Sequence, residues 1–356
     1  MNGPLVTSEL TDDVSNGVDF LANRPAFSAY STGAASLSAG GTASIILDTE
    51  YFDSWSGHQS LGTASAYPQR YFCQAPGWYI AEGFVPFNYT GTVSTVFAAS
   101  LGVTTGGTFA SRQGQMQVVA AGETPGPAVA DLIQMTRSGP VGSASTDYVQ
   151  LQALTSGSGI SLQGGPYPTL SVRWQCTGSA SALPVPSNGT FPVPPSYLGT
   201  AWANENIRDT VGFLANPPAL RVSYTPGSQQ LSSGTWSNGS TISLNTVSLD
   251  NYSAFSASTS LWTAPCAGIH YIIGQVATLI NTVNSGNYAA GISVSGTQYW
   301  GDSVYIPHVV GTVVTSSAGR YRLNQGDTVA LIGFTGASGA VNVLAATRLV
   351  VAFEGS

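Results

Sequence analysis

The sequence predicts an all-β protein of two tandem β-sandwich domains, each preceded by a short helix. Three observations predict this: a motif that occurs twice, short segments of alternating polarity, and a composition poor in charge. The alternating segments are broken by turns at Gly40-Gly41, Gly106-Gly107 and Gly164-Gly165, which is typical of sandwiches and barrels. A chain of 356 residues has room for two cores of ordinary size.

The repeated motif occupies residues 14–26 (VSNGVDFLANRPA) and 207–219 (IRDTVGFLANPPA). In both copies apolar residues fall at i, i+4 and i+7, which places them on one face of a short amphipathic helix. They are Val14, Val18 and Leu21 in the first copy and Ile207, Val211 and Leu214 in the second, each 193 positions from its equivalent. The proline that follows ends the helix. A repeat of this length indicates two domains.

Two later landmarks recur in the same order in both halves. The turn and strand at 76–85 match 267–276, and the strands at 147–151 and 170–174 match 327–331 and 349–353. The chain therefore divides into an N-terminal arm (1–11), a first domain (12–176), a proline-rich linker (177–205) and a second domain (206–356). Because dense proline favours extended chain, the linker is expected to hold the two domains apart.

Two segments bear on strand assignment and assembly. Residues 128–135 are compatible with a helix, but the strand-rich context favours a strand. Residues 269–280 are apolar on both faces; one face carries Ile269, Tyr271, Ile273, Ala277 and Leu279, and the other carries Ile272, Val276 and Ile280. A strand of a two-layer sandwich needs only one apolar face. The same strand of a symmetry-related chain is therefore expected to cover the second face.

Composition excludes several classes of partner. Charged residues are 8% of the chain and hydrophobic residues 43%, against about 25% charged in an average domain. Such a chain is typical of packed β assemblies. The net charge is −7 and the ten basic residues are all arginines, scattered singly, so neither nucleic acid nor an anionic membrane is an expected partner. No apolar run approaches the ~20 residues of a membrane span, and the N-terminus lacks a secretion signal, so a soluble protein is expected.

The sequence offers little for catalysis or metal binding. The cysteines show no CxxC spacing; they are Cys73, Cys176 and Cys266. Buried free thiols are favoured, and a bridge between Cys73 and Cys176 is the alternative. The histidines lie far apart and are expected to be structural or surface residues; they are His58, His270 and His308. No nucleophile elbow, phosphate loop or zinc-protease motif occurs, and no cofactor is expected.

One acidic group is tight enough to test for glycoside hydrolysis, which uses two carboxylates. It consists of Asp48, Glu50 and Asp53. Solvated carboxylates at the edge of a loop are the favoured interpretation.

Two groups of aromatic residues lie in polar segments. The first contains Tyr51, Phe52, Trp55 and His58, and the second contains Tyr299, Trp300 and Tyr305 near Asp302. Exposed aromatic rings beside Asp or Asn are suited to stacking on sugar rings. Tyr51, Trp55, Tyr299 and Trp300 are therefore candidate contacts for a glycan or a protein partner, with packing inside the core or between subunits as the favoured alternative.

The order of three segments carries a family resemblance. These are 75–79 (APGWY), 326–331 (GDTVAL) and the final strand at 348–353 (RLVVAF), and their order resembles that of tumour-necrosis-factor-like and complement-collagen-like jelly rolls. The repeated FLAN-x-P-A motif resembles tandem-domain structural proteins of tailed bacteriophages of actinobacteria. The resemblance implies a virion component made of jelly rolls, trimeric through their inner sheets, and it implies no catalytic residue.

The resemblance and the residues together predict a non-enzymatic virion protein. A minor tail or tail-tip component that contacts the host surface is favoured. The first alternative is a capsid decoration or head-fibre protein, and the second is a glycan-binding or glycan-degrading receptor-binding protein. The expected partners are further copies of the chain, other virion proteins of tail or capsid, and a host-surface glycan; the expected location is the virion, after assembly in the host cytoplasm.

Overall fold

The structure of the chain is a computed structural model. It describes residues 18–33, 36–37, 40–59, 67–89, 95–119, 125–157, 160–162, 167–178, 209–225, 227, 229–231, 239–280, 286–301, 304–306, 311–336, 339 and 341–355. The predicted arm and nearly all of the predicted linker lie outside these residues, so the three predicted boundaries stay predictions. Among the described residues, no helix combines the length and apolar composition that crossing a bilayer requires.

The first described element of the first half is a helix, α1, at residues 18–22. Its strands are β1 (Ala26–Tyr30), β2 (Ser36–Leu37), β3 (Thr42–Ser44), β4 (Thr49–Asp53), β5 (Arg70–Phe72), β6 (Gly77–Phe84), β7 (Phe87–Tyr89), β8 (Thr95–Thr105), β9 (Thr108–Val119), β10 (Ala128–Met135), β11 (Tyr148–Thr155), β12 (Ile160–Leu162) and β13 (Thr169–Cys176). The inner sheet has the order β10-β6-β13-β1-β4, and the outer sheet has the order β3-β11-β8-β9, with β5 also paired to β11. The short strands β2, β12 and β7 form a third sheet.

The second half repeats this plan after the helix α2 (Asp209–Ala215). Its strands are β14 (Ala219–Ser223), β15 (Gln230–Leu231), β16 (Ser240–Thr241), β17 (Thr246–Asp250), β18 (Phe255–Ser256), β19 (Leu261–Thr263), β20 (Gly268–Ile280), β21 (Gly286–Val294), β22 (Thr297–Trp300), β23 (Val304–Ile306), β24 (Gly311–Leu323), β25 (Thr328–Thr335), β26 (Val341–Val343) and β27 (Arg348–Gly355). The inner sheet runs β15-β26-β20-β27-β14-β17, with β24 on the other side of β20. The outer sheet runs β18-β19-β25-β21-β22.

The strand order makes each half a jelly roll. In both halves the first strand pairs with the last, as β1 with β13 and β14 with β27. The chain then alternates between sheets: β6 and β10 lie in the inner sheet, whereas β8 and β11 lie in the outer sheet. Such crossing connections between two antiparallel sheets define Greek-key jelly rolls. The predicted fold class is confirmed, and residues 128–135 form the favoured strand.

The two inner sheets pack against each other through a buried apolar layer. The first jelly roll contributes Trp78, Ile80 and Leu132, and the second contributes Tyr271, Ile273, Val350 and Ala352 among others. The opposite face of β20, with Ile272, Val276 and Ile280, lies in the core of the second jelly roll. The apolar periodicity of β20 was therefore interpreted correctly.

Two expectations about this surface were wrong. The cover on the second face of β20 is the first jelly roll of the same chain, and no symmetry-related copy is needed. The domains are also in contact rather than held apart, because each inner sheet presents an apolar face that water would otherwise cover. A proline-rich linker determines the distance that the connection can span, but it does not oppose the burial of these two apolar faces.

Each helix is anchored by one phenylalanine. Phe20 meets Trp55 and Trp174 edge-on, with ring centroids 5.6 and 5.0 Å away. Phe213 repeats the arrangement against Tyr252 and Phe353, at 6.4 and 5.4 Å. In each half one partner follows the edge strand of the inner sheet and the other lies on the last strand, so the helix closes one end of the sandwich.

The predicted stripe is only partly covered. Leu21 and Val211 are half-buried, but Val18 and Leu214 are exposed. The residues that α2 buries are Asp209 and Phe213. A helix of two turns is too short for a stripe at i, i+4 and i+7 to reach the core along its length, so one large ring supplies the contact. Val14 and Ile207 lie outside the described residues.

The repeated glycine turn has a steric cause. Gly77 and Gly268 begin β6 and β20 with φ of 154° and 150°, a conformation that favours glycine. A Cβ at Gly77 would overlap the Trp174 ring, and a Cβ at Gly268 would overlap the Phe353 ring. At both positions the lack of a side chain leaves room for the aromatic ring, Trp174 or Phe353, that contacts the preceding helix.

Truncating the anchor should destabilise the second jelly roll. Phe213→Ala is expected to lower the free energy of unfolding by about 3 kcal/mol, because a nearly buried ring leaves a cavity between Tyr252 and Phe353. The neighbouring Leu214→Ala is the control; its side chain is 39% exposed, and the expected loss is below about 1 kcal/mol. Urea denaturation measures both. Equal losses would contradict the anchoring role.

Candidate functional site

The first candidate contact, Tyr51, belongs to a group of three tyrosines, two of them exposed. It lies on β4, the last of the described strands at one edge of the first inner sheet, and is 65% exposed. Its ring is 4.8 Å from that of Tyr30 on β1, which is 5.2 Å from that of Tyr167. Neighbouring Phe52 is also exposed. Tyr30 and Tyr167 escaped the sequence analysis because strand pairing, rather than proximity in the chain, brings them to Tyr51.

Trp55 has a different environment. It is half-buried, its ring packs on Phe20, and its Nε1 donates to the Asn23 carbonyl at 2.6 Å. These contacts hold α1 in place, which is the packing alternative considered for this residue.

The second aromatic group is spread over the outer sheet of the second jelly roll. Tyr299 is 43% exposed and meets Tyr321 edge-on at 5.1 Å. Trp300 is half-buried, with its ring 6.0 Å from that of Phe334. Asp302, His308 and the side chain of Tyr305 lie outside the described part of the chain. The two candidate groups therefore lie on different sheets of different jelly rolls and do not form one site.

The acidic group near Tyr51 braces loops. Asp48 accepts from the backbone N and hydroxyl of Thr32, both at 2.8 Å. Glu50 pairs with Nδ1 of the buried His58 at 2.6 Å, and the other ring nitrogen of His58 donates to the Pro68 carbonyl at 2.9 Å. Asp53 accepts from the backbone N of His58 at 2.8 Å.

The remaining titratable residues singled out in the sequence are buried. His270 lies between the rings of Trp262 and Phe353 and donates to the Gly268 carbonyl at 3.2 Å; burial lowers its pKa. All three cysteines are buried free thiols, so the favoured interpretation is confirmed. Burial raises the pKa of Cys73 and Cys176 to about 12 and that of Cys266 to about 11. Over the described ranges, no group of three or more His, Cys, Asp or Glu residues is arranged to hold a metal ion.

The strongest electrostatic feature lies between the jelly rolls, and sequence reasoning missed it. Asp131 of β10 is fully buried. Nε and Nη2 of Arg221 donate to its two oxygens at 3.0 Å each, and Arg348 lies 3.4 Å away. Burial alone would raise the pKa of Asp131, but the charges of Arg348 and Arg221 outweigh burial and lower it. A charged residue inside an apolar strand was the available signal, since such residues are rarely buried unless paired.

A second polar group lies at another part of the same interface. Tyr271 of the second jelly roll donates its hydroxyl to Glu82 of the first. Glu354 pairs with Arg173 of the first jelly roll and, at 2.7 Å, with Arg320 of the second. The two guanidinium groups lie over the Tyr271 ring at 5.4 and 5.5 Å. Directional contacts of this kind fix how the two apolar faces are oriented.

No protein-family model matches the chain, and no curated protein matches it either. Solved structures are similar over less than half of the chain. The globular domain of the zebrafish complement 1qA protein is 15% identical, with a TM-score of 0.30 over 39% of this chain and 99% of that chain. Eiger TNF from S. frugiperda is 11% identical, with a TM-score of 0.30 over 39% of this chain and 94% of that chain. Murine APRIL at pH 5.0 is 15% identical, with a TM-score of 0.29 over 38% of this chain and 98% of that chain. The jelly-roll assignment rests on the strand order of this chain.

Proposed function

We propose that the chain is a non-enzymatic structural protein of a bacteriophage virion, and specifically a minor tail or tail-tip component. The observation that carries the proposal is the joining of two jelly rolls into one unit through their inner sheets. A double sandwich with few charges is suited to mechanical roles and to tight contact with neighbouring proteins. The chain's resemblance to tandem-domain phage proteins supplies the virion setting.

A structural role also agrees with the use of the acidic residues. Asp48, Glu50 and Asp53 each hold a loop through hydrogen bonds, which leaves the group committed to the fold. The chain works by assembly rather than by turnover.

Self-association is part of the proposal, with a homotrimer as the favoured state. Since the inner sheets cover each other within the chain, the contacts between copies have to use other surfaces. The edge of the first inner sheet is one such surface, because β4 is the last of its described strands and exposes Tyr51 and Phe52, and an edge strand has unpaired backbone groups. Light scattering on the purified chain at micromolar concentration should give three times the mass of one chain, and a monomer mass would count against the trimer.

Immunogold electron microscopy of purified particles tests the location. Antibody against the second jelly roll is expected to place gold at the tail. Gold spread over the head would favour the alternative, a capsid decoration or head-fibre protein. Particles that contain no copy of the chain by mass spectrometry would overturn the virion assignment itself.

Glycan binding is a second candidate function, favoured by the exposed tyrosines at the edge strand β4. Tyr51→Ala is expected to weaken binding of the chain to an array of bacterial envelope glycans about threefold to tenfold, the loss of one aromatic contact. Phe109→Ala is the control, because Phe109 is also exposed, at 50%, but lies on β9. Equal binding by both variants and the unmodified chain would exclude this surface.

A further inference from the structure

A polar cavity of about 240 Å³ lies where the two jelly rolls meet. Ser111 and Arg112 of β9 line it from the first jelly roll, and Arg221 and Arg348 line it from the second. Three of the ten basic residues of an acidic chain therefore converge on one small space.

The charges around the cavity do not balance. Among the described residues, Asp131 is the carboxylate that faces the three guanidinium groups, and it leaves an excess of two positive charges there. Burial lowers the pKa of Arg348 to about 10, and the like charges of Arg221 and Arg112 add to this effect against the attraction of Asp131. All three arginines are still cationic at neutral pH. Uncompensated charge in a partly buried site is costly, so the site favours an anion.

The hydrogen bonds point the same way. The oxygens of Asp131 already accept from Arg221 at 3.0 Å each and from the backbone N of Leu132 at 2.8 Å. The buried Nε of Arg112 has no acceptor in the described part of the chain. The exposed Ser111 next to it adds a hydroxyl to the same wall. An arginine fork with a free donor is matched by the oxygens of a phosphate or sulfate.

We propose that this cavity binds one tetrahedral oxyanion of the phosphate or sulfate class. A dianion supplies two negative charges, which is the excess that Asp131 leaves. The bound anion contacts arginines of both jelly rolls and therefore stabilises their association. This site is independent of where the chain lies on a virion.

Thermal unfolding of the full chain in phosphate, sulfate, acetate and chloride at equal ionic strength tests the proposal. Phosphate and sulfate at about 100 times Kd should raise Tm by roughly 3 to 4 °C over chloride. Arg112→Gln should abolish this rise, because it removes one of the three guanidinium groups that line the cavity but keeps the pairing of Arg221 and Arg348 with Asp131. Arg322→Gln, at an exposed position on β24, is the matched control and should retain the rise.

Isothermal titration of the unmodified chain with phosphate gives a second result that does not depend on any variant. One site per chain is expected. Three results would each overturn the proposal. The first is no binding of phosphate at roughly 10 mM, where even a weak site would be partly filled, and the second is an equal Tm rise in Arg112→Gln. The third is an equal Tm rise with acetate, which would indicate a site that binds carboxylates as well as tetrahedral anions.

Discussion

Replacing Asp131 by asparagine is expected to lower the free energy of unfolding by about 3 to 5 kcal/mol. The amide keeps the size of the side chain but removes the negative charge that pairs with the buried Arg221 and Arg348. Urea denaturation at pH 7 measures the loss. Asp19→Asn is the control, because Asp19 is exposed on α1; its expected effect is within about 0.5 kcal/mol. A similar loss in both variants would contradict the buried pair.

The buried carboxylate of Asp131 should also make the free energy of unfolding depend on pH. Its pKa is lowered in the folded chain from the ordinary value of 3.8. A lowered folded pKa means that the stabilisation is fully present above the unfolded pKa and is lost as pH falls below about 4 toward the folded pKa. The unmodified chain should therefore lose more stability between pH 5 and pH 2 (about the range over which carboxylates titrate) than Asp131→Asn does. If the free energies of unfolding of the unmodified chain and of Asp131→Asn fell by the same amount over this pH range, the role of Asp131 would be contradicted.

Placing a charge in the apolar layer between the jelly rolls should have the second large effect. Ile273 is 1% exposed and packs in the layer with Trp78 and Ile80. Ile273→Asp is expected to cost about 4 kcal/mol or more, since the carboxylate has no partner there. The matched control is Ile46→Asp, because Ile46 is 47% exposed and should change stability by less than about 1 kcal/mol.

The readout for Ile273→Asp is urea denaturation followed by tryptophan fluorescence. If the variant unfolds in two steps, the first step reports separation of the jelly rolls. A variant as stable as Ile46→Asp would show that this face of β20 is exposed to solvent.

Much of the fold could be predicted because the chain carries it twice. The duplicated motif, the glycine turns before β6 and β20, and the paired final strands each mark an element at its equivalent position. Local patterns also gave the strand at 128–135 and both apolar faces of β20. These features depend on residues near one another in sequence, where periodicity is informative.

What failed depends on contacts between distant residues. The apolar pattern of β20 shows that its second face is covered, but the pattern does not identify the surface that covers it. The first jelly roll of the same chain can cover this face as well as a second copy of the chain can. Phe20 and Phe213 were overlooked as anchors because their partners lie on β13, on β27 and after the edge strands. The grouping of Tyr30 with Tyr51 and Tyr167 likewise depends on strand pairing.

A double-mutant cycle across the interface tests most directly the claim that the two jelly rolls form one unit. It combines Asp131→Asn in the first jelly roll with Arg221→Gln in the second, measured at two protein concentrations. The contacts at 3.0 Å predict a coupling energy of about 2 kcal/mol or more, equal at both concentrations. Additive effects would show that the jelly rolls do not meet here, and a coupling that grows with concentration would place the contact between chains.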